Sequence, residues 1–390
     1  MSNTRPEAKS VRVLLLTNVI APYQKPVFDR LAARFRELRI LLSTPMESNR
    51  PWKLEWTGLD VRVQKTITFN KRWRHPKGFS EPLFVHVPID TIPQLFRFRP
   101  DVVISWEMGM RTILAAAYRR VSRSRLMVWA EFAESTEYGR GRLRQIIRRV
   151  LHRGVDGFLV TGDSGARYLR AIGVPHRKLH KIVYTTDVTR FAEAAGTHSV
   201  RREFTLLYVG QLIERKGLVP FVEELVRWAT AHSERRITFA LAGDGPLRAE
   251  LERHAVPENL RLTFLGNVSY EKLPNVYAKA DIFAFPTLAD TWGVVVNEAL
   301  AAGLPVLGSV YGQAVSELVR DGCNGWTFRP DCAGEMSTAL DRALTTTDAE
   351  LARMRESARE TALRLTPGYV ADLVETGVLA CLSGNGGGTT

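Results

Sequence analysis

Short apolar runs alternate with amphipathic stretches along the whole chain. The first run, Val11–Ile20 (VRVLLLTNVI), is almost continuously apolar, which is typical of a parallel strand buried on both faces. Helical spacing of apolar residues follows in residues 26–35, and further strand and helix patterns alternate up to about residue 187. A second alternating series begins at Phe204 (FTLLYVG). The pattern predicts an α/β protein with two doubly wound sheets.

The two series predict two Rossmann-like domains that face each other across a cleft, where ligands usually bind. We place the first domain at residues 1–190 and the second at residues 191–365, with a small polar linker at about 191–201. A last helix is predicted at residues 366–382. The tail at 383–390 (SGNGGGTT) has a composition that predicts disorder.

The composition is that of an ordinary globular protein. The 390 residues are 45% hydrophobic and 24% charged, enough for two separate cores. The three cysteines have no metal-ligand spacing, and no run approaches 18 uninterrupted apolar residues. We therefore expect a cytoplasmic protein in a reducing compartment, without a membrane-spanning helix.

The net charge of +13 is unevenly distributed along the chain. Residues 1–195 carry a net charge of +18, whereas the remainder carries −5. This asymmetry indicates that the two domains meet different partners. A nucleic-acid-binding function is suggested only by the high pI, because no nucleic-acid-binding module is recognisable.

A basic helix is predicted at about Leu143–Arg153, within the sequence GRGRLRQIIRRVLHR. Its apolar residues follow helical spacing and are predicted to face the sheet: Leu143, Ile146, Ile147, Val150 and Leu151. Its arginines are then expected to face water or, with four further arginines upstream, an anionic membrane surface: Arg144, Arg148, Arg149 and Arg153, with Arg119, Arg120, Arg123 and Arg125. The sequence alone leaves both alternatives open.

The segment Lys71–Phe79 (KRWRHPKGF) mixes basic and aromatic residues. Such a mixture suits stacking on a nucleobase or on a sugar. We predict an exposed loop near a bound acceptor, with His75 as an ordinary polar surface residue.

Two carboxylates flank an apolar helix start in Pro286–Val306 (PTLADTWGVVVNEALAAGLPV). The helix is predicted to begin near Thr291 or Trp292, with Asp290 or Thr291 as its N-cap. The backbone N–H groups of Trp292, Gly293 and Val294 would then form an anion site at the carboxyl edge of a parallel sheet. Glu298 lies one turn beyond and could accept hydrogen bonds from a ribose diol. The alternative is that Asp290 is only a cap and Glu298 a solvent-facing acid.

A second candidate anion-binding segment follows the strand LLYVG. It contains Arg215, Lys216 and Gly217. A helix N-terminus carries only about half an elementary charge, so basic side chains must supply the rest of the charge that a pyrophosphate requires. A solvated basic loop is the alternative for this segment taken alone.

These residues resemble the donor domain of the glycosyltransferase family 4 group. The resemblance covers about Tyr208–Phe328 and includes YVGQLIERKGL, LAGDGPL and PTLADTWGVVVNEALAAGLPV; in the N-terminal half it is looser, through APYQKPVF, VWAEF and VTGDSGARYLRAIGV. It implies a GT-B fold and a retaining transferase that uses a nucleotide-sugar donor. The absence of a D-x-D tripeptide fits a reaction without a bound metal ion, whose work the lysine and the helix N–H groups would do. A lipid-linked or cell-envelope glycan acceptor, or an anionic polysaccharide, would suit the basic surface of the first half.

The resemblance also implies roles for individual residues. Lys216 corresponds to the lysine that binds the donor pyrophosphate, Glu298 to the acid on the ribose hydroxyls and Asp290 to the acid on the transferred sugar. The remaining donor-site positions are Gly210, Gln211, Arg215, Gly243, Thr291, Trp292, Gly293 and Val294. In the N-terminal half, Glu131 lies nearest the expected reaction centre, with Glu134 as the alternative and Tyr23 on the acceptor side.

The chain departs from the family pattern at several positions. Asp290 is shorter than the usual acid, Gln211 replaces a frequent arginine, and the glycine pair of the first loop is replaced by APYQ. The histidine that the family often has near the reaction centre, in its N-terminal half, is also missing. The alternative function is therefore an inactive GT-B scaffold that binds glycan or membrane.

Overall fold

The computed structural model describes residues 7–47, 56–194 and 204–384. The chain divides into two compact units. The first comprises Met1–Tyr184 and Pro367–Thr390, and the second comprises Thr185–Thr366. Each unit contains its own parallel sheet and its own hydrophobic core.

The first unit is built on a seven-stranded parallel sheet in the order β3-β2-β1-β6-β7-β8-β9. The strands of this sheet are β1 (Arg12–Thr17), β2 (Glu37–Leu42), β3 (Asp60–Val63), β6 (Val102–Trp106), β7 (Arg125–Ala130), β8 (Gly157–Thr161) and β9 (Leu179–Ile182). Two further strands, β4 (Thr66–Arg74) and β5 (Ser80–Pro88), form a separate antiparallel hairpin. Its helices are α1 (Lys25–Arg34), α2 (Thr91–Phe98), α3 (Met110–Arg119), α4 (Glu134–Glu137), α5 (Arg142–Leu151) and α6 (Gly162–Ala171), together with the C-terminal helix Pro367–Leu382.

The second unit is built on a six-stranded parallel sheet in the order β12-β11-β10-β13-β14-β15. Its strands are β10 (Phe204–Val209), β11 (Ile237–Ala242), β12 (Leu260–Gly266), β13 (Ile282–Phe285), β14 (Val306–Ser309) and β15 (Gly325–Phe328). Its helices are α7 (Val188–Glu193), α8 (Leu218–Ala231), α9 (Arg248–Glu252), α10 (Leu273–Tyr277), α11 (Val294–Ala301), α12 (Gln313–Leu318), α13 (Glu335–Thr345) and α14 (Asp348–Leu363).

The order of the strands determines where a ligand site can form in each sheet. The central strands are apolar on both faces and fully buried, as their continuous apolar runs predict. In the second unit the strand order reverses between β10 and β13, so the loops after these two strands leave the same edge of the sheet side by side. Such a topological switch point is where open α/β sheets bind ligands. The equivalent point in the first unit lies between β1 and β6.

The boundary between the units falls between Tyr184 and Thr185, six residues before the boundary placed at 190/191 from the sequence. Helix α7 packs against α11 and therefore belongs to the second unit. The C-terminal helix, which we label α15 (Pro367–Leu382), packs against α1 and returns to the first unit. Most of the expected linker and the end of the expected disordered tail, residues 195–203 and 385–390, lie outside the described residues.

The segment Asp348–Leu382 has a mean hydropathy of 1.2 over an 18-residue window, of which 39% is buried, and is apolar enough to be a candidate membrane span. It consists of two helices, α14 and α15, of 16 residues each. Each is shorter than the roughly 20 residues that a membrane-crossing helix needs. Buried residues of α15 include Val370, Val374 and Val378, which is the spacing of a core-facing helix.

The segment Lys71–Phe79 does not form the exposed loop that we expected from its composition. Residues up to Arg74 extend strand β4, and only the turn that follows is irregular. His75 is buried, with 1% of its surface exposed, and stacks on Phe79 with ring centroids 4.4 Å apart. The prediction of a polar surface histidine was therefore wrong, because the hairpin turn folds the two rings together.

Helix α5 has the opposite orientation to the one predicted. Four of the five apolar residues that we expected to face the sheet are exposed: Leu143 (71%), Ile146 (54%), Ile147 (43%) and Val150 (61%). Arg148, which we expected at the surface, is 1% exposed. Apolar periodicity identified the helix, but it gave the wrong inward face.

A buried ion pair explains this orientation. The Arg148 Nη1 donates to the Glu137 carboxylate and to the Tyr168 hydroxyl, both at 2.5 Å. The guanidinium also lies over the Phe132 ring, 4.3 Å from its centroid. A charged pair that is buried in this way must remain together, because either partner alone would be left desolvated without compensation.

We expect Glu137→Leu to destabilise the first unit by about 3–5 kcal/mol, because it leaves Arg148 buried without its carboxylate. Urea unfolding followed by tryptophan fluorescence measures the loss. The double variant Glu137→Leu/Arg148→Met removes both charges and is expected to recover much of it. A loss below about 1 kcal/mol for the single variant would show that the pair does not hold the helix.

Candidate functional site

The loop after β10 carries the basic residues of the predicted site. Gly210 follows the strand directly, and a single 3₁₀ turn at Glu214–Lys216 leads to Gly217 and helix α8. Gly217 has φ +67°, and a Cβ there would lie 2.2 Å from the carbonyl oxygen of Pro286. Only glycine fits this close approach, which brings the loops after β10 and β13 into contact.

Lys216, Arg215 and Asp290 form an ion cluster between these two loops. The Lys216 Nζ lies 2.5 Å and the Arg215 Nη1 3.3 Å from the Asp290 Oδ2. Arg215 also donates to the carbonyl of Ala289 at 2.8 Å and accepts from the N–H of Leu288 at 2.8 Å. The structure thus brings two neighbouring basic residues to an acid that, counted from Lys216, lies 74 positions further along the sequence.

The charge of Asp290 is fixed by its partners. Burial of the carboxyl group opposes ionisation, but Lys216, Arg215 and the backbone N–H of Trp292 outweigh it and lower the pKa to about 2. Asp290 is therefore an ion-pair partner rather than the helix N-cap that we considered. Two cations at the carboxyl edge of the sheet are held in place by one carboxylate.

Helix α11 begins at Val294, two to three residues later than predicted, with Gly293 as its N-cap. No side chain caps the helix. Gly293 has φ +95°, and a Cβ there would lie 2.6 Å from the Phe285 ring, so the ring and the backbone conformation both require glycine. The first N–H groups of a helix have no acceptor within the helix, so this end keeps the character of an anion site.

The other predicted donor-site residues surround the same sheet edge. The carbonyl of Thr291 accepts from the Gln313 side chain at 2.7 Å, and that of Trp292 accepts from the N–H of Ala314 at 2.9 Å. These bonds hold the loop before α11 in one conformation. Gly210 and Gly243 directly follow the neighbouring strands β10 and β11, and the carbonyl of Gln211 accepts from the Tyr208 hydroxyl at 2.8 Å.

Glu298 is buried inside the second unit, with 3% of its surface exposed. The hydroxyl of Tyr277 in α10 donates to its Oε2 at 2.8 Å. Burial raises the pKa of Glu298 to about 8, although the bond from Tyr277 works in the other direction. The alternative of a solvent-facing helix acid was therefore wrong.

The predicted residues of the first unit have different surroundings. The Tyr23 ring packs edge-on against Tyr184, with centroids 5.9 Å apart. Glu131 directly follows β7 and is half-buried, whereas Glu134 is exposed and accepts from the Arg167 Nε at 2.8 Å. Glu131 is thus the more shielded of the two alternative carboxylates.

Sequence reasoning missed Arg111, at the start of α3. It is buried, and its guanidinium donates to the side chains of Asn18 and Ser43 and to the carbonyl of Trp106, at the ends of β1, β2 and β6. Burial lowers its pKa to about 10, although nearby carboxylates work in the other direction. Glu107, beside it, has φ +62°, an uncommon backbone conformation for a residue other than glycine. No sequence motif marks this position; only the strand order reveals it.

Chemically, the second unit offers two fixed cations and a helix N-terminus at one sheet edge. Such a set of donors suits a diphosphate. Over the described ranges, no three or more histidine, cysteine or acidic side chains cluster in a way that could hold a metal ion.

Known proteins resemble the region that contains this site. Residues 203–346 match the model of the family described as Glycosyl transferases group 1. Alpha-D-kanosaminyltransferase of Streptomyces kanamyceticus is 27% identical over 225 residues, which cover 54% of this chain and 56% of that protein. A GDP-mannose-dependent alpha-mannosyltransferase of Mycolicibacterium smegmatis is 28% identical over 360 residues, or 89% of each chain. The chain covers 56% of the kanosaminyltransferase, and between 36% and 56% of two further curated relatives.

Solved structures match over nearly the whole chain. Anabaena HepE in complex with UDP superimposes with a TM-score of 0.69 at 16% identity, covering 93% of this chain and 98% of that chain. At this identity the likeness shows the fold, and it confirms the predicted GT-B fold of two Rossmann-like α/β domains. The family match confirms a resemblance to the group 1 glycosyltransferases over residues 203–346.

The raised pKa of Glu298 has a consequence for stability. A buried acid with a folded-state pKa near 8 stabilises the fold fully below its unfolded pKa of about 4.5, and that contribution is lost as the pH rises through 8. We expect the free energy of unfolding to fall between pH 5 and pH 8 in the wild type, with a slope of up to about 1.4 kcal/mol per pH unit from this group. Glu298→Gln is expected to remove this part of the slope in urea unfolding. Identical slopes in the two proteins would contradict the assignment.

Proposed function

Because residues 203–346 match the model of the group 1 glycosyltransferases, we propose that the chain is a retaining hexosyltransferase. It transfers a sugar from a nucleotide-sugar donor to a glycan or to a lipid-linked acceptor. The observation that carries the proposal is the pair of cations, Lys216 and Arg215, fixed beside the start of α11 at the switch point of the second sheet. We place the donor diphosphate there.

The cations suit the leaving group of this reaction. When the bond between the anomeric carbon and the diphosphate oxygen breaks, negative charge develops on the phosphate and positive charge on the sugar. Lys216, Arg215 and the first N–H groups of α11 stabilise the phosphate charge, while the Asp290 carboxylate keeps the two cations at this edge. Fixed donors of this kind act without reorganisation during the reaction. They fill the role that a metal ion takes in other transferases, and we propose that the enzyme needs none.

Retention follows if the acceptor hydroxyl attacks from the face that the diphosphate leaves. The leaving phosphate oxygen then takes the acceptor proton, the new glycosidic bond forms at the anomeric carbon, and nucleoside diphosphate is released. No protein nucleophile is required. We assign Asp290 to the transferred sugar, through any carboxylate oxygen that the cations leave accessible.

Glu298 is assigned to the ribose hydroxyls of the donor. Its carboxyl group is buried and already accepts one hydrogen bond from Tyr277. An ionised carboxylate there would accept two further bonds from a diol. Binding of nucleotide would therefore favour the ionised form of a group whose pKa is about 8 in the structure.

The acceptor is assigned to the switch point of the first unit. Glu131 lies at the end of β7, and Arg111 lies where β1, β2 and β6 end. A buried guanidinium suits an acceptor with a phosphate or carboxylate group. Tyr23 and Glu134 remain proposed acceptor-side residues.

The net charge of the first half, +18 over residues 1–195, supports an acceptor at an anionic surface. We propose a cytoplasmic enzyme of polysaccharide or cell-envelope biosynthesis that works at the inner face of the membrane. An inactive scaffold is the second candidate. It is favoured by Gln211 in place of a phosphate-binding arginine and by the pairing of Asp290 with both cations.

We expect Lys216→Ala to reduce donor turnover at least 100-fold, because loss of one fixed donor to the leaving group costs about 2.7–4 kcal/mol. Turnover is measured as release of nucleoside diphosphate from UDP-, GDP- and dTDP-sugars, a screen that also identifies the donor. Lys272→Ala removes an exposed lysine of the same unit and serves as the control. Near-normal turnover in Lys216→Ala would refute the assignment, and no turnover of any donor by the wild type would favour the scaffold.

Glu298→Ala is expected to weaken binding of the free nucleoside diphosphate, measured by calorimetry with UDP and GDP. In the wild type, affinity is expected to rise by up to tenfold per pH unit between about pH 6.5 and 8, because binding then releases the proton of Glu298. Glu298→Gln is expected to abolish this dependence. An unchanged pH dependence in that variant would show that Glu298 does not contact the nucleotide.

A further inference from the structure

Helix α5 presents an uncovered apolar face. Leu143, Ile146, Ile147 and Val150 follow the i, i+3, i+4, i+7 spacing of a single helix face, and between 43% and 71% of each residue is exposed. Exposed apolar residues that occur singly need no explanation, but four on one face of one helix mark an interaction surface. We call this set the α5 apolar face.

The segment that contains the α5 apolar face is strongly basic. Residues 138–155 contain six arginines and no aspartate or glutamate. One of them, Arg148, points inward to Glu137 and fixes the rotation of the helix, so the face cannot turn toward the core without breaking a buried ion pair. Arg142 and Arg149 are exposed on the same helix.

Aromatic residues lie close to the start of α5. Arg140, two residues before the helix, stacks on the Trp73 ring at the end of β4, with its guanidinium carbon 4.5 Å from the centroid. Tyr138 is 64% exposed. Tryptophan and tyrosine are the residues that favour the level of the lipid headgroups.

We propose that the α5 apolar face lies in the surface of an anionic bilayer, with the helix parallel to the membrane plane. Its leucine, isoleucine and valine side chains enter the boundary between headgroups and acyl chains, and the flanking arginines contact the headgroup phosphates. This combination of an apolar face, a cationic border and low overall hydrophobicity is that of an interfacial helix. A protein partner for an apolar face would need to be acidic around its border, whereas the inner lipid surface already supplies that charge.

The inference deepens the membrane part of the proposed function by assigning that contact to one helix. It also reverses the arrangement expected from the sequence, in which arginines alone faced the lipid. Because α5 belongs to the first unit and the ion cluster to the second, lipid binding and donor turnover can be measured separately.

The test is co-sedimentation of the full chain with vesicles of phosphatidylcholine alone and of phosphatidylcholine with 30% phosphatidylglycerol. The wild type is expected to bind the anionic vesicles and to lose binding as salt is raised. Leu143→Ser/Ile146→Ser is expected to weaken the partition at least tenfold through lost apolar burial. Arg142→Gln/Arg149→Gln is expected to weaken the partition about 30-fold, because each basic residue near anionic lipid raises the affinity roughly fivefold.

Matched controls are available elsewhere on the chain. Val121→Ser removes an apolar side chain with the same 71% exposure as Leu143, and Arg235→Gln/Arg236→Gln removes two exposed arginines of the second unit. Both controls are expected to bind vesicles as the wild type does. Release of diphosphate from donor without acceptor is expected to be unchanged in all four variants, which separates this proposal from the proposed reaction.

Three outcomes would overturn the proposal. The first is no binding of the wild type to anionic vesicles, and the second is equal loss of binding in the control variants. The third is a wild-type dimer in light scattering that Leu143→Ser/Ile146→Ser converts to a monomer without any effect on lipid binding, which would assign the face to a second copy of the chain.

Discussion

The ion cluster of Lys216, Arg215 and Asp290 is the interaction on which the candidate site depends. It joins the loops that follow two adjacent strands at the point where the strand order of the second sheet reverses. Without the carboxylate, two cations would lie close together in a half-buried position and repel each other. With it, they remain at the sheet edge beside the helix N-terminus, at the place where a diphosphate would be bound. The same carboxylate also neutralises part of the positive charge at this edge. The ion cluster therefore decides how strongly the site could bind a diphosphate.

The parts of the molecule that could be predicted from the sequence are those that repeat along the chain. Continuous apolar runs identified the central parallel strands, and their alternation with helices identified two Rossmann-like units. The order of glycine, lysine and acidic residues led to the family, whose match covers residues 203–346. Contacts between distant segments were not accessible in this way. The pairing of Asp290 with Lys216 and the bond from Tyr277 to Glu298 depend on tertiary geometry, and both changed the assigned environment of an acid.

Helix α5 shows why apolar periodicity is an incomplete guide. The spacing located the helix within one or two residues of its ends, but hydrophobicity alone placed its apolar face inward. Three polar contacts of Arg148 with Glu137 and Tyr168 determined the opposite orientation. The buried pair therefore fixes the rotation of α5 and leaves its apolar side chains exposed. His75 is a smaller example of the same limit. Its polar character predicted a surface position, but in the structure it is buried and stacks on Phe79 in the hairpin turn.

The most direct test of this account is a crystal structure of the chain with UDP or the donor nucleotide that the screen identifies. The account predicts diphosphate oxygens within hydrogen-bond distance of the Lys216 Nζ and of the N–H groups at the start of α11, with the ribose hydroxyls at Glu298. Nucleotide bound at another place, with Lys216 still paired with Asp290, would contradict it.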